Sequence, residues 1–461
     1  MLIQNPPSQQ RQEQLFQQAV DLLANDNIRT LVQKINNDYL YWDKVKYICP
    51  KGINPETLWT AVCISRSLNA KILQFGNLSV CFTLTDKMMQ LLNLFDLNIG
   101  GTLGTKNLIP ENDKNYYLIS SIMEEAIASS QMEGASTTRK VAKDMLRTQQ
   151  KPKNKSQQMI ANNYQTIQYL SRHRDEPFSV EQLQTVHHLI AEHTLDKQED
   201  EGRLRDNDNI VVQDAITGDI AHVPPRVSDI EDMLKDLCNF ANNDDTDNFI
   251  HPIMKAIIIH FMLAYIHPFV DGNGRTARSL FYWYMLRHGY YLMEYLSISR
   301  VIYKSKKSYE KSFLQTEADG LDMSYFILYN LEAMKQAFED LKGYLQRKMA
   351  EHNDIARYLH IGHINARQAK LLQQFASKPD KVILAKEIAL QYGITSVTAR
   401  TDLQGLVRMG LFVEVPLNGK TTAYMAAPDC WQRVEQLIKH HKEGSSTITK
   451  GSSITTSRTY Q

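Results

Sequence analysis

The sequence predicts a mainly α-helical chain. Its long helical core is interrupted by one β-hairpin, an N-terminal region mixes α and β character, and a C-terminal unit has three helices followed by a two-stranded hairpin. Three observations predict this. Apolar residues recur at helical spacing through most of residues 115–350. Two β-branched runs flank Thr217-Gly218-Asp219 and stop at Pro224-Pro225. Beyond Ile364, short amphipathic stretches give way to alternating residues around Asn418-Gly419.

In chain order, Gln14–Leu23 has helical apolar spacing, and Ile72–Leu84 is rich in β-branched and aromatic residues around a Gly76-Asn77 turn. Residues 1–100 are therefore an N-terminal accessory region. Gly100-Gly101-Thr102-Leu103-Gly104 is a flexible break. In the core, helices are expected at Tyr117–Ala128, Gln158–Ser171, Val180–His193, Asp229–Ala241, Pro252–Ile266, Thr276–His288 and Tyr325–Leu345. Past residue 364 the expected helices are Ala366–Ala376, Leu384–Leu390 and Ser396–Met409, with a hairpin of Leu411–Pro416 and Thr421–Met425. Three helices and a two-stranded wing, over residues 364–430, are the order of a winged helix-turn-helix. The Ser- and Thr-rich tail, 443–461, is expected to be disordered.

Composition narrows the function classes. The 461 residues suit one to three domains, and 43% hydrophobic content suits a packed core. Fifty-two basic against 51 acidic residues leave a net charge of +1, which argues against an overall pull toward nucleic acid or membrane. The five cysteines are scattered without a CxxC pair, against a disulfide framework or zinc site and for a reducing compartment. The N-terminus lacks the basic-then-apolar order of a signal peptide. The longest apolar run, near Ile257–Ile266, is broken by His260 and suits a buried helix better than a membrane span. The expectation is a soluble, cytoplasmic protein.

The chemistry concentrates in His267-Pro-Phe-Val-Asp271-Gly272-Asn273-Gly274-Arg275-Thr-Ala-Arg278. Pro268 disfavours helical geometry in its predecessor, so the preceding helix should stop at His267. A second helix starts near Asn273 or Gly274. A glycine-rich loop opening a helix aims several backbone N–H groups at one point, and the helix dipole adds positive charge there, which makes an anion site suited to phosphates. Arg275 and Arg278 share a helix face and suit bidentate bonds to phosphate oxygens. Asp271, at the lip, is the single carboxylate that a phosphate-bound Mg²⁺ asks of a protein. His267 could take a proton from an attacking hydroxyl. Any one of these is commonly structural; the coincidence within twelve residues points to attack of a hydroxyl on a nucleoside phosphate.

These residues resemble the Fic-family signature, His-x-Phe-x-Asp/Glu-Gly-Asn-Gly-Arg-x-x-Arg, and match it at every defined position. The resemblance extends into the helical core, from about Asn115 to Leu345. It implies an all-helical core with a hairpin flap and transfer of AMP from Mg·ATP to a Tyr, Thr or Ser hydroxyl of a protein. His267 would be the base and Asp271 the Mg²⁺ ligand. Gly272, Asn273 and Gly274 would cradle the phosphates, and Arg275 and Arg278 would hold the β- and γ-phosphates. Phosphocholine-transferring and kinase-like relatives exist. The kinase-like branch carries lysine at the second glycine, so Gly274 argues for nucleotidyl transfer.

Ser129-Ser-Gln-Met-Glu133-Gly134 lies at the end of a predicted helix, with Gly134 as its stop. It resembles the family's inhibitory motif, Ser/Thr-x-x-x-Glu-Gly/Asn. The resemblance implies that Glu133 pairs with Arg278 and tilts ATP out of productive geometry. In some relatives the same glutamate supports removal of AMP. The hairpin at Asp219, Ile220, Ala221 and His222 would be the flap that clamps a target peptide by strand addition. Ser308 and Tyr309, with Thr316, resemble positions about the adenine pocket. His260, two turns before His267, reads as a buried, hydrogen-bonded histidine.

The C-terminal helix Ser396–Met409 carries Thr398, Arg400, Thr401, Gln404 and Arg408, with Lys420 after the turn of the wing. This thin basic face leaves DNA binding and protein docking or dimer formation both open. Two function classes remain. One is an adenylyltransferase held in check by Glu133; the other is a DNA-binding regulator whose core senses ATP. A sensor has no need of a base, so His267 favours the enzyme. A toxin component fits less well, because the inhibitory segment is in the same chain.

Overall fold

The computed structural model describes residues 3–100, 114–213, 217–243, 248–359, 361, 364–377, 381–418 and 421–448. The chain divides into two compact units, Met1–Lys342 and Gly343–Gln461.

The first unit opens with α1 (Gln9–Leu23), α2 (Asp26–Asn37), α3 (Trp42–Ile48) and α4 (Pro55–Ser67). An antiparallel hairpin, β1 (Ala70–Phe75) and β2 (Leu78–Thr83), and α5 (Asp86–Asn98) follow. The side chains of Asn25, Asn54 and Thr85 cap α2, α4 and α5 by accepting backbone N–H groups. The first helix and the Gly76-Asn77 hairpin appear where the sequence places them. The expected break at 101–104 lies outside the described residues.

A buried cation ties this region to the rest of the unit. Arg66, 5% exposed, donates through Nε to Asn36 Oδ1 (3.0 Å), through Nη2 to the Leu40 carbonyl (2.8 Å) and through Nη1 to Tyr325 Oη (2.5 Å). Its guanidinium lies over the Tyr39 ring at 4.0 Å and pairs with Asp319 at 3.6 Å. Tyr39 Oη in turn donates to Asp322 (2.5 Å). Burial, outweighing the Arg66 charge and reinforced by Asp322, pushes the Asp319 carboxyl up to about 6. The backbone of Cys81 bonds in both directions with the 321–323 loop, so β2 is fastened at the same place.

The core of the unit is helical. Its elements are α6 (Lys114–Met132), α7 (Arg139–Arg147), α8 (Lys155–Arg172), α9 (Val180–Ala191), the hairpin strands β3 (Val212–Gln213) and β4 (Ile220–His222), α10 (Val227–Asn242), α11 (Pro252–Ile266), α12 (Asn273–Arg287), α13 (Ile298–Lys304), α14 (Lys306–Ala318) and α15 (Ser324–Leu359). Every residue of α11 from Ile253 to Leu263 is buried, as a helix apolar all round requires. It packs lengthwise on α12, which also meets α8 and α9; α6 packs on α8 and α13.

The expected helices all appear, with shifted ends. The helix expected to reach His193 stops at Ala191, with His193 at φ 57°. The last one runs to Leu359 because no proline interrupts it and Gly343 is carried within it. The hairpin strands are shorter than the β-branched runs suggest, and residues 214–216 lie outside the described residues. Among the described residues no helix is long and apolar enough to cross a membrane.

The second unit contains α16 (Ala366–Ser377), β5 (Ile383–Leu384), α17 (Ala385–Tyr392), α18 (Ser396–Arg408), β6 (Phe412–Asn418), β7 (Thr421–Ala426) and α19 (Cys430–Ile448). Its antiparallel sheet has the order β5-β7-β6. Leu372, Phe375, Ile388, Leu403, Leu406 and Phe412 build its core. Buried Asp402 accepts from Asn365 and Arg367, which pins the start of α16 to α18. Three helices and a hairpin appear in the expected order, with β5 as an added strand. Arg400, Thr401, Gln404 and Arg408 lie exposed on α18, and Thr398 is half-buried. Residues 443–448, expected in the disordered tail 443–461, are instead the end of α19; Gly419, Lys420 and residues 449–461 lie outside the described residues.

Replacing Arg66 by Met would leave Asp319 and Asp322 buried without their cation. The expected loss is about 3–5 kcal/mol of stability, read by chemical denaturation followed through tryptophan fluorescence. A loss under about 1 kcal/mol would show that the cage is not a fastening point.

Candidate active site

The site begins where α11 ends. His267 occupies the helix C-cap in the left-handed region, at φ 50°, with Pro268 forbidding another helical turn. Its Nδ1–H donates to the Ala264 carbonyl (3.2 Å), which fixes the tautomer and leaves the Nε2 lone pair as acceptor. Burial, aided by His222 and Arg205, lowers the imidazole to about 4 against the opposing Ala264 carbonyl and Glu133 charge. His267 is therefore neutral near pH 7.

From Phe269 to Gly272 the loop is braced from beneath. Asn273, 2% exposed, accepts the Phe269 N–H (3.0 Å) and donates to the Phe269 carbonyl (2.8 Å). His187, fully buried on α9, donates through Nε2 to the Asp271 carbonyl (2.7 Å), accepts Gly202 N–H at Nδ1 (3.0 Å) and stacks on the Phe269 ring at 3.7 Å. Burial holds this imidazole at about 4, so it remains a neutral strut. Arg205 donates through Nε to the His267 carbonyl (3.0 Å), and its N–H bonds the Pro268 carbonyl (2.8 Å). Sequence reasoning missed both struts. His187 had a faint signal, sharing a helical face with Leu183 and Ile190; Arg205, in a polar stretch without periodicity, had none.

Gly272 then turns at φ 84° as the N-cap of α12, and Asp271 Oδ1 accepts its N–H (2.5 Å). The start of α12 points at a carboxylate. A Cβ added to Gly274 would lie 2.3 Å from Glu133 Oε1, so the missing side chain is what admits Glu133 to the helix N-terminus. Glu133 follows the end of α6, and Gly134, at φ 91°, turns the chain away.

Arg278, one turn into α12, completes the seat. Nη2 donates to Glu133 Oε1 (2.8 Å) and the Ser129 carbonyl (3.0 Å), and Nε to Ser129 Oγ (2.8 Å). Burial works to raise the Glu133 carboxyl. The Arg278 charge and hydrogen bond, backed by Arg275 and Lys306, outweigh it and hold the group below the usual carboxylate range. Lys306 also donates to the Met132 carbonyl (3.1 Å), holding the last turn of α6.

A cavity of about 490 Å³, within the range of ligand pockets, opens beside this seat. It brings together Glu133, Gly134, Ala221, His222, His267, Gly274, Arg278 and Tyr309, with Phe313, Leu314 and Tyr265 as apolar wall. Tyr309, 8% exposed, meets His260 Nε2 through its hydroxyl (2.9 Å). Burial takes His260 down to about 3.

Other expected residues stand back from the cavity. Arg275, 1% exposed, does not share Arg278's outlook. Its Nη1 donates to the Ile190 carbonyl (3.0 Å), and among the described residues its buried Nε has no hydrogen-bond partner. Asp271 is exposed at the lip, Ser308 is exposed on the first turn of α14, and Thr316 is fully buried behind it. Asp219 and Ile220 lie exposed along the hairpin. Among the described residues no group of three or more His, Cys, Asp or Glu is placed to form a metal cage.

Residues 177–285 match the Fic/DOC family model. The chain is 30% identical over 118 residues to the Protein adenylyltransferase Fic of Drosophila mojavensis, covering 26% of this chain and 22% of that one. It is 32% identical over 117 residues to the protein of the same name from Nematostella vectensis, covering 25% of each. The chain thus spans about a quarter of the length of the curated relatives it matches. A Fic family protein from Desulfovibrio desulfuricans G20 shares the fold, with a TM-score of 0.50 at 18% identity, over 77% of this chain and 99% of that one.

His187, His260 and His267 are all held neutral below the ordinary imidazole value of 6.5. The unfolded chain binds more protons than the fold in that window, so their stabilisation is complete above pH 6.5 and drains as pH falls toward 4. Thermal unfolding midpoints measured across this range should fall with pH, and fall less steeply in a His187→Asn variant. A slope unchanged by that substitution would remove His187 from the titrating set.

Proposed function

We propose that residues 177–285, which match the Fic/DOC family model, form a Fic domain, and that the chain transfers AMP from ATP to a Ser, Thr or Tyr hydroxyl of a protein. The observation that carries the proposal is the seat of the Glu133 carboxylate. An anion already rests on the N-terminus of α12 and on Arg278, beside a histidine with a lone pair to spare. The names of the relatives support the same chemistry.

In this reading the ATP phosphates take the place of the Glu133 carboxylate. The backbone of Gly272, Asn273 and Gly274 and the guanidinium of Arg278 receive them, with Arg275 adding its charge from below. The Asn273 side chain braces the loop, so its part in the cradle is through the backbone. Tyr309, Phe313 and Leu314 offer the adenine an apolar wall. Ser308 and Thr316 do not line the cavity and take no part in holding the nucleotide. The acceptor oxygen attacks the α-phosphorus while His267 Nε2 takes the hydroxyl proton. The bond from that phosphorus to the bridging oxygen breaks, and pyrophosphate leaves. Phosphate charge raises the affinity of a neighbouring imidazole for a proton, which brings His267 toward the working range of a base.

Asp271 fits the single-carboxylate role in a Mg²⁺ site shared with phosphates, being exposed at the lip with Oδ1 held by Gly272 N–H. Mg²⁺ held there would neutralise charge on the leaving phosphates. Among the described residues β4 pairs only with β3, so its outer edge is open to an added strand of target backbone. While Glu133 holds Arg278, the terminal phosphate lacks its partner, and the transferase is restrained by its own chain.

Labelled AMP from Mg·ATP, with cell lysate as target source, tests this. Glu133→Gly should raise incorporation about 10- to 100-fold over the native chain. Adding His267→Ala should lower it about 100- to 10,000-fold. Equal labelling with and without His267 would overturn the mechanism. No labelling by any variant, with ATP still bound, would turn the reading toward a nucleotide sensor.

A further inference from the structure

Among the described residues lining the cavity, the lysine and arginine side chains are Arg278 and Lys306. The sequence pairs Arg278 with Arg275 as the phosphate cations. Arg275 is buried, turns its Nη1 to the Ile190 carbonyl and does not line the cavity. Lys306 does. It opens α14 three residues before Tyr309, so the two share a helix face. Its Nζ donates to the carbonyl of Met132, the residue before Glu133, at 3.1 Å. Glu310 Oε1 stands 3.8 Å from the same nitrogen. Burial raises the Glu133 carboxyl, and the charges of Arg278, Arg275 and then Lys306 hold it below its usual range.

We propose that Lys306 is a second phosphate-binding cation of the site, meeting the nucleotide beyond its α-phosphate, beside Arg278. An ammonium carries three N–H donors, and the Met132 carbonyl takes one of them. That bond keeps the charge next to the seat of the Glu133 carboxylate with donors to spare. Glu310 lies beyond hydrogen-bond distance, and both side chains of that pair are 43% exposed, so it holds Lys306 weakly. A compact charge on a flexible four-carbon stem can follow an incoming anion.

The demand for such a cation comes from the exchange of anions. When a polyphosphate replaces the Glu133 carboxylate, one negative charge gives way to several. Arg278 already donates to the Ser129 hydroxyl and carbonyl, which leaves it few N–H groups for the newcomer. Lys306 supplies further donors from the cavity wall. The assignment rests on the reading that ATP fills this cavity; transfer of AMP is a separate step.

Calorimetric titration of Glu133→Gly with Mg·ATP, and with AMP, which lacks the outer phosphates, tests the assignment. Adding Lys306→Met removes the charge and keeps the stem. It should weaken ATP binding about tenfold and leave AMP binding unchanged. Lys307, an exposed neighbour, does not line the cavity, and adding Lys307→Met should leave ATP binding unchanged. A lysine that merely fastened the end of α6 would not tell ATP from AMP. ATP affinity untouched by Lys306→Met, an equal loss for both nucleotides, or an equal loss in Lys307→Met overturns the assignment. If Glu133→Gly binds ATP yet labels no protein, the AMP-transfer reading fails alone, and the titrations still decide Lys306. If it binds no ATP, both fall.

Discussion

A guanidinium that is 4% exposed must be answered by an anion, and the organisation of the site follows from how Arg278 is answered. Arg278 stands one turn into α12, and a Cβ added to Gly274 would lie 2.3 Å from Glu133 Oε1, so the anion that meets Arg278 also lies against the first turn of that helix. Gly274 keeps the approach open. Glu133 arrives from the end of α6, about one-third exposed at 32%, and completes the pair. Two distant segments, 145 residues apart in sequence, are joined through one carboxylate. An ion pair so placed holds its partner firmly, yet it occupies a seat suited to phosphate oxygens. The same contact therefore reads as a fold constraint and as a restraint on chemistry.

Around that pair the protein builds rigidity of a particular kind. His187, Asn273 and Arg205 all bond the backbone of the 267–273 turn rather than a ligand. Their work is to hold N–H groups and one imidazole in place before any substrate arrives, which is how a preorganised site lowers a barrier. The imidazoles of His187 and His260 stay neutral through burial.

Much of this was legible in the sequence, and the part that was not has a physical reason. Helical periodicity located the core helices because their buried faces repeat. The His267–Arg278 loop was legible because its special residues, Pro268, Gly272 and Gly274, each enforce a local conformation. The spacing of Ser129 and Glu133 placed both on one helical face, and the structure brings both to Arg278. Arg275 shows the limit of such reasoning. Its i,i+3 spacing from Arg278 suggested a shared outlook, but the loop folds over it and its guanidinium turns toward the Ile190 carbonyl. Arg205 escaped because its long-range contacts with the backbone leave no periodic trace.

Whether Glu133 occupies the seat of the nucleotide's terminal phosphates is decided by a crystal structure of Glu133→Gly with Mg·ATP. Phosphate oxygens are expected within hydrogen-bond distance of Arg278 Nη2 and the backbone N–H groups at the start of α12, with the α-phosphorus facing His267 Nε2. A nucleotide bound elsewhere, with Arg278 still satisfied by Ser129 alone, would contradict it.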